Sequence, residues 1–226
     1  MKKIVTRFVS FQTTFNSPSK EQVAQFVQDN FDPEGSEFEE WTPSDWKQDI
    51  ALFDHIQDEK YLDFAKDLHT RWQDLGRQID PKVKENPSKY SLHYIDKPFV
   101  VPGGRFREMY YWDSYWTIQG LIVSEMFDTV KGMLENFSQL IREVGHIPNG
   151  NRIYYYRRTQ PPFFISMVDA YFEATDDEEF LQENIQYLDK EFQYWMENRT
   201  MDLEVNGRTH KLARYNVQVD DPRPGI

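Results

Sequence analysis

Arg105, Arg107, Glu108 and Asp113 are the charged groups of one short stretch, Pro102 to Trp116, where they alternate with Tyr110, Tyr111, Trp112, Tyr115 and Trp116. A plain core helix would not carry two arginines and two acids among its aromatics. A phosphate loop is excluded as well, because no Lys-Ser/Thr pair follows Gly103-Gly104. The mixture suits a polyol. Sugar rings offer apolar CH faces to Trp or Tyr, and their hydroxyls need rigidly held charged donors and acceptors. The two glycines allow a turn or a close ligand approach that a Cβ would block, and Pro102 stiffens the entry. A second reading stays open on residue types alone: a partly buried Arg–acid pair that stabilises a turn ahead of a helix.

The ordered pattern is more specific than the composition. Pro102-Gly103-Gly104-Arg105-Phe106-x-Glu108-x-Tyr110-x-Trp112-Asp113-x-Tyr115 resembles the first signature of the trehalases, the inverting glycosidases that split α,α-trehalose into two glucoses. Two further stretches resemble the same family. One is Gly145-His146-Ile147-Pro148-Asn149-Gly150-Asn151-Arg152 followed by Tyr154, Tyr155 and Arg158-Thr159-Gln160-Pro161-Pro162. The other is Phe31-Asp32-Pro33-Glu34-Gly35-Ser36-Glu37 with Trp41-Thr42-Pro43 and Trp46. The resemblance runs from about Val23 to Pro224.

That resemblance implies substrate-contacting roles for Arg105, Trp112, Asp113, Asn149, Arg158 and Gln160. Thr159 stands among them where the family usually has serine, and Arg223 lies in a family-like Pro-Arg-Pro segment. The residue types fit the roles. Arginines donate forked hydrogen bonds to vicinal hydroxyls, Asp113 accepts, Asn149 and Gln160 do both, and Trp112 supplies an apolar face. Inversion also needs two carboxyl groups about 6.5–9.5 Å apart, one to protonate the leaving oxygen and one to activate water. Glu108 and Asp113 are tempting. The resemblance, however, places both catalytic carboxylates in motifs with no counterpart before Ile226, and Gly225 stands where the family has a substrate-contacting glutamate. The expectation is therefore no catalytic residue in this chain, and a truncated, N-terminal part of one trehalase domain over residues 1–226. The rival is a non-catalytic protein that uses the same helices for sugar binding or interaction.

Composition narrows the partners. A net charge of −12 makes nucleic acid an unsuitable partner, and aromatics at 16% exceed what a core alone needs. There are no cysteines, and the five histidines lack ligand spacing, so neither a thiolate site nor a metal is expected, and no cofactor is implied. No run reaches the ~20 apolar residues of a membrane helix, and Arg7, Gln12 and Asn16 interrupt any signal-peptide core. The sequons at Asn136 and Asn198 would admit glycosylation in a secreted protein.

The elements that must position these residues follow from periodicity. Ser17 and Pro18 predict a helix start, and Glu37, Glu39 and Glu40 predict a solvated loop. Leu62, Ala65, Leu68, Trp72, Leu75 and Ile79 predict one long amphipathic helix over residues 58–79, with His69 at its boundary. Residues 116–126 read as a buried helix, and Val130 to Val144 as an amphipathic one stopped by Gly145. After the polar loop 145–160 the arrangement repeats: an apolar helix over 163–174, then one capped by Asp176 or Asp177 and striped by Phe180, Leu181, Ile185, Leu188, Phe192 and Trp195. A buried inner helix and a half-exposed outer one, repeated, is what an all-α toroid requires. The (α/α)6 fold implied by the resemblance agrees, here as an incomplete part of the ring with uncovered inner helices. Asn206-Gly207 predicts a small β-hairpin near the C-terminus.

Overall fold

The computed structural model describes residues 2–216, so Arg223 and its Pro-Arg-Pro segment lie outside the described residues. Two N-terminal helices, α1 (Lys2–Thr14) and α2 (Lys20–Asn30), meet through Phe8 and Phe11 against Phe26. The cap of α2 is Ser19 rather than Ser17. Ser19 Oγ accepts from the Gln22 N–H while Gln22 Oε1 accepts from the Ser19 N–H, and this reciprocal box satisfies two otherwise orphaned donors.

The expected long helix over 58–79 is broken. Helix α4 (Glu59–Thr70), capped by Asp58, follows the short α3 (Ala51–Asp54) and gives way to the single turn α5 (Trp72–Leu75). Gly76–Ile79 then forms β2, the centre of an antiparallel sheet with β1 (Phe38–Glu40) and β3 (Phe99–Val100). Glu39 and Glu40 of the acidic run thus lie on an edge strand, while Glu37 sits in the turn before it. Close approach is the reason: a Cβ on Gly76 would lie 1.9 Å from the Trp41 carbonyl oxygen, a contact only glycine permits. His69 is buried rather than at a boundary. Its ring stacks on Trp46, Nε2 lies 2.7 Å from the Lys47 carbonyl, and Nδ1 lies 3.1 Å from Ser124 Oγ.

Past α6 (Pro81–Glu85), an extended linker leads to the signature and is gripped from the side by a helix. Asn136 accepts from the Lys97 N–H and donates to the Lys97 carbonyl, while Gln139 accepts from Asp96 N–H and donates to the Tyr94 carbonyl. Two amides one turn apart thereby stand in for a neighbouring strand. This settles the first sequon. Asn136 is fully buried with both ends of its amide engaged, so it does not serve as a glycan acceptor in the folded chain.

The two expected helix pairs are present: α7 (Tyr111–Val123) with α8 (Phe127–Val144), and α9 (Phe164–Thr175) with α10 (Glu178–Asn198). Gly145, at φ 93°, stops α8 as expected. The core is built from Val130, Met133, Leu134 and Phe137 of α8 against Ile118 and Leu121 of α7, Phe164 and Met167 of α9, and Phe180 of α10. Helix α7 is not buried all round: Trp112, Trp116 and Val123 are 39%, 57% and 51% exposed along one face. Among the described residues the helices form no closed ring. The expected hairpin follows α10, as β4 (Thr200–Val205) and β5 (Arg208–Ala213) turned by Asn206 and Gly207 at φ 52° and 73°. No helix among the described residues is long and apolar enough to cross a membrane.

Asp177, the residue that caps α10, accepts from the Phe180 N–H, from Lys131 and from Tyr171. Lys131 first, then the Phe180 N–H, hold its carboxyl down at about 2 against an ordinary 3.8. A depressed folded value stabilises the fold above the unfolded value, and that contribution is lost as pH falls through the folded one. Asp177→Ala should therefore cost ~1 kcal/mol near pH 7. In thermal melts, the gap between variant and wild type should close as pH falls from about 4 toward 2.

Candidate functional site

The signature begins with a tight turn. Gly103 and Phe106 exchange both backbone hydrogen bonds, at 3.2 and 3.0 Å, around Gly104 and Arg105. Gly104 sits at φ 59°, a left-handed position at the first central residue that favours glycine. The turn projects Arg105 to the surface, where its guanidinium lies 4.8 Å from the centre of the Phe106 ring. Phe106 in turn meets Tyr110 edge-on at 5.9 Å.

Backbone bonds tie this turn to the second motif. The Asn149 N–H donates to the Arg158 carbonyl at 3.0 Å, and the Tyr111 N–H donates to the Asn149 carbonyl at 3.1 Å. The Trp112 N–H, one of the free donors at the start of α7, is capped by Gln160 Oε1 at 3.0 Å. Asn149, Arg158, Gln160 and Trp112 therefore converge on one helix N-terminus. Asp113 sits in the first turn of α7, where the helix dipole favours an anion, and its carboxylate makes no hydrogen bond or ion pair among the described residues. The Arg158 guanidinium lies 4.7 Å from the centre of the Tyr155 ring, with Nε buried and without a partner. Thr159 is committed elsewhere: its hydroxyl donates to the Ile147 carbonyl at 2.6 Å, bracing the loop.

Arg105 opens on an adjoining cleft of about 400 Å³, walled by Glu34, Arg107, Glu108, Tyr110, Tyr154 and Tyr155. That volume is within the roughly 300–1,000 Å³ of small-molecule sites. Tyr155 joins the two regions, since it lines this cleft and carries Arg158 on its ring. Burial, and then the Glu108 carboxylate, raise the Tyr110 phenol well above its ordinary value, so it stays a neutral donor.

Glu108, one wall of this cleft, is bound into an ion cluster that lines a neighbouring cavity of about 320 Å³. Arg152 is buried, and Nε and Nη2 donate to Glu108 Oε1 at 2.8 and 2.6 Å. Nη1 donates to Glu37 Oε1 at 2.6 Å and to Ser91 Oγ at 2.9 Å. Burial opposes the charge on Arg152, but Glu108 and then Glu37 outweigh it and hold the guanidinium protonated above its ordinary range. The Arg–acid pair left open by the sequence therefore exists, yet its arginine comes from the second motif. Glu108 is accordingly held as a fixed carboxylate, while Arg105 and Asp113 form no ion pair among the described residues. Arg152 stands in a quoted motif, but nothing local in the sequence marked Glu37 as its partner.

Beneath the site, Tyr111 reaches into the core and donates to Glu191 Oε1 at 2.6 Å, while its own oxygen accepts from the Phe164 N–H at 3.1 Å. Trp195 donates to the same Glu191 oxygen at 3.1 Å. Above it, Trp112, Tyr115 and Trp116 gather around Phe163, with Tyr115 and Phe163 stacked at 4.7 Å. A braced helix N-terminus, flanked by exposed tryptophans and by two arginines that form no ion pair among the described residues, has the groups that hold a polyol.

Several known proteins are similar to this chain. The family profile described as Trehalase matches residues 3–226. A trehalase of Apis mellifera is 51% identical over 207 residues, covering 92% of this chain and 33% of that protein. The trehalase of Homo sapiens is 46% identical over 209 residues, covering 92% and 36%, and that of Dictyostelium discoideum 49% over 212 residues, covering 92% and 35%. The chain thus spans about a third of the length of the curated relatives it matches. Among solved structures, neutral trehalase Nth1 from Saccharomyces cerevisiae is similar at 38% identity and a TM-score of 0.42, over 44% of this chain and 19% of that one. With a family match across nearly every residue, the chain belongs to the trehalase family.

Proposed function

We propose that this chain is the sugar-recognition part of a trehalase-type glycoside hydrolase, which cleaves α,α-trehalose to two glucose molecules with inversion. On this reading residues 1–226 form one segment of a single toroidal domain. Arg105, Trp112, Asp113, Asn149, Arg158 and Gln160 contact the two sugar rings, Arg223 joins them from the C-terminal segment, and Thr159 supports the loop. The observation that carries the reading is the backbone ladder from Arg158 through Asn149 to Tyr111, which brings residues of two distant motifs to one helix N-terminus. The catalytic acid and base are assigned to family motifs outside residues 1–226, because Glu108 is bound to Arg152. A sugar-binding protein without chemistry is the second reading, and the unpaired state of Arg105 and Asp113 suits it equally.

The test uses a chain that continues through the remaining family motifs. Arg105→Ala should lower kcat/KM for trehalose by at least ~100-fold, or ~3 kcal/mol of transition-state stabilisation. Arg105→Lys should not rescue it, since one ammonium cannot reproduce the guanidinium fork. Near-normal kinetics of Arg105→Ala would remove Arg105 from the site.

A further inference from the structure

We propose that Glu191 is a positioning residue for the sugar site: from the core it fixes Tyr111, and through Tyr111 it sets the Trp112–Asp113 turn against Asn149. The proposal rests on the sugar-recognition reading above.

The geometry is a single phenol joining three helices. Glu191 Oε1, on α10, accepts from the Tyr111 hydroxyl of α7 at 2.6 Å and from the Trp195 indole at 3.1 Å. The Tyr111 hydroxyl also accepts from the Phe164 N–H, the first residue of α9, so the same phenol joins all three elements. Tyr111 is held at its other end as well. Its backbone N–H donates to Asn149, and the next residue, Trp112, donates to Gln160. Tilting the phenol would therefore shift Trp112 and Asp113 relative to the loop that carries Asn149. The mechanism leaves Glu191 otherwise unused.

The environment of Glu191 is unusual for an acid. The residue is 1% exposed, pairs with no cation among the described residues, and leaves Oε2 buried without a hydrogen-bond partner. The groups that face it are Tyr111 from α7, Trp195 and Tyr194 from its own helix, the Phe164 N–H of α9 by way of Tyr111, and the Ile147 N–H of the sugar loop. From helix α8, Phe137 packs on the Tyr111 ring. His146, beside Ile147, stacks flat on Tyr194, and burial and then Arg199 discourage its charge. Nothing nearby compensates a buried carboxylate fully. Burial accordingly raises the Glu191 carboxyl above its ordinary value despite the Tyr111 and Trp195 donors. A raised folded value means that the proton stabilises the fold fully below the unfolded carboxyl range, and that this stability is lost as pH rises through the folded value. Ionisation strengthens the Tyr111 and Trp195 bonds to Oε1 but strands charge on Oε2, which has no partner, so the Glu191 carboxylate, and Tyr111 with it, should shift over the same interval.

The experiment compares the 226-residue chain with Glu191→Gln and Tyr111→Phe. Glutamine keeps the shape and the accepting oxygen but cannot ionise, whereas Tyr111→Phe removes the bond itself. Near-ultraviolet circular dichroism of the buried aromatics is followed from pH 4 to pH 9, and trehalose binding is measured by calorimetry at both ends. The wild-type aromatic signal should change in one step, and trehalose affinity should fall by roughly fivefold or more on the alkaline side of it. Glu191→Gln should show neither change and keep the acid-side affinity, while Tyr111→Phe should bind weakly at both ends. An aromatic step that persists in Glu191→Gln, or a wild-type chain with no step, overturns the proposal. A step abolished by Glu191→Gln in chains that do not bind trehalose upholds the anchoring of Tyr111 and sinks the sugar reading instead.

Discussion

Residues 1–226, purified and held with trehalose for a day, should release no glucose above the uncatalysed background. Recognition and chemistry are separable in this reaction. Arginines and amides can hold a disaccharide, but without a general acid the departing glucose leaves as a poor alkoxide, and without a base the water is not activated. Each such group typically supplies ~10²–10⁴-fold, so on the proposed reading, which assigns both groups to motifs outside residues 1–226, almost nothing is left. The structure sharpens the expectation for the acid with the best position. Glu108 walls the cleft, yet its Oε1 takes two bonds from Arg152 at 2.8 and 2.6 Å, an arrangement that favours a fixed carboxylate over a proton donor. A Glu108→Gln chain assayed in parallel provides the check. Glucose release that vanishes in that variant would make Glu108 a catalyst and overturn the recognition-only reading.

The second large effect concerns stability. Arg152→Ala removes the only cation bonded to Glu37 and Glu108 among the described residues, and leaves both carboxylates largely enclosed without a partner. Breaking a buried pair in this way typically costs ~3–5 kcal/mol, because the remaining charge is stranded rather than resolvated. For a chain of this size, ~1 kcal/mol moves the melting temperature by ~2–4 °C, so a fall of roughly 10 °C is expected. Glu37→Gln and Glu108→Gln introduced together with Arg152→Met should recover most of it, since an uncharged cluster has nothing to compensate. A fall of under ~2 °C for Arg152→Ala would mean that water screens the cluster. The expected loss is local as well as global, because Glu37 belongs to the N-terminal segment while Glu108 and Arg152 come from the two sugar motifs.

Much of this protein was legible in residue order alone, wherever the cause is local. Helices α8 and α10 follow from three–four apolar spacing and end or begin at Gly145 and Asp177, whose effects span a turn. The hairpin follows from Asn206-Gly207, because few other pairs adopt two successive left-handed conformations. The signature marked Arg105, Trp112 and Asp113 through residue types that no core or phosphate loop explains, and the family follows from the same order. Where the cause is a distant atom, local pattern failed. Residues 76–79 carry a helical stripe yet form a strand, because the Trp41 carbonyl approaches Gly76 and the flanking strands offer ladder bonds. Asn136 reads as a glycan acceptor until the Lys97 backbone occupies both ends of its amide. Glu37 meets Arg152 across 115 residues, and Glu191 meets Tyr111 across 80, separations over which sequence spacing carries no geometric information. Residue order alone named the groups proposed to meet a sugar; the tertiary packing decided which of them are engaged by other described residues, since each buried donor or acceptor must find a partner and takes the nearest the fold supplies.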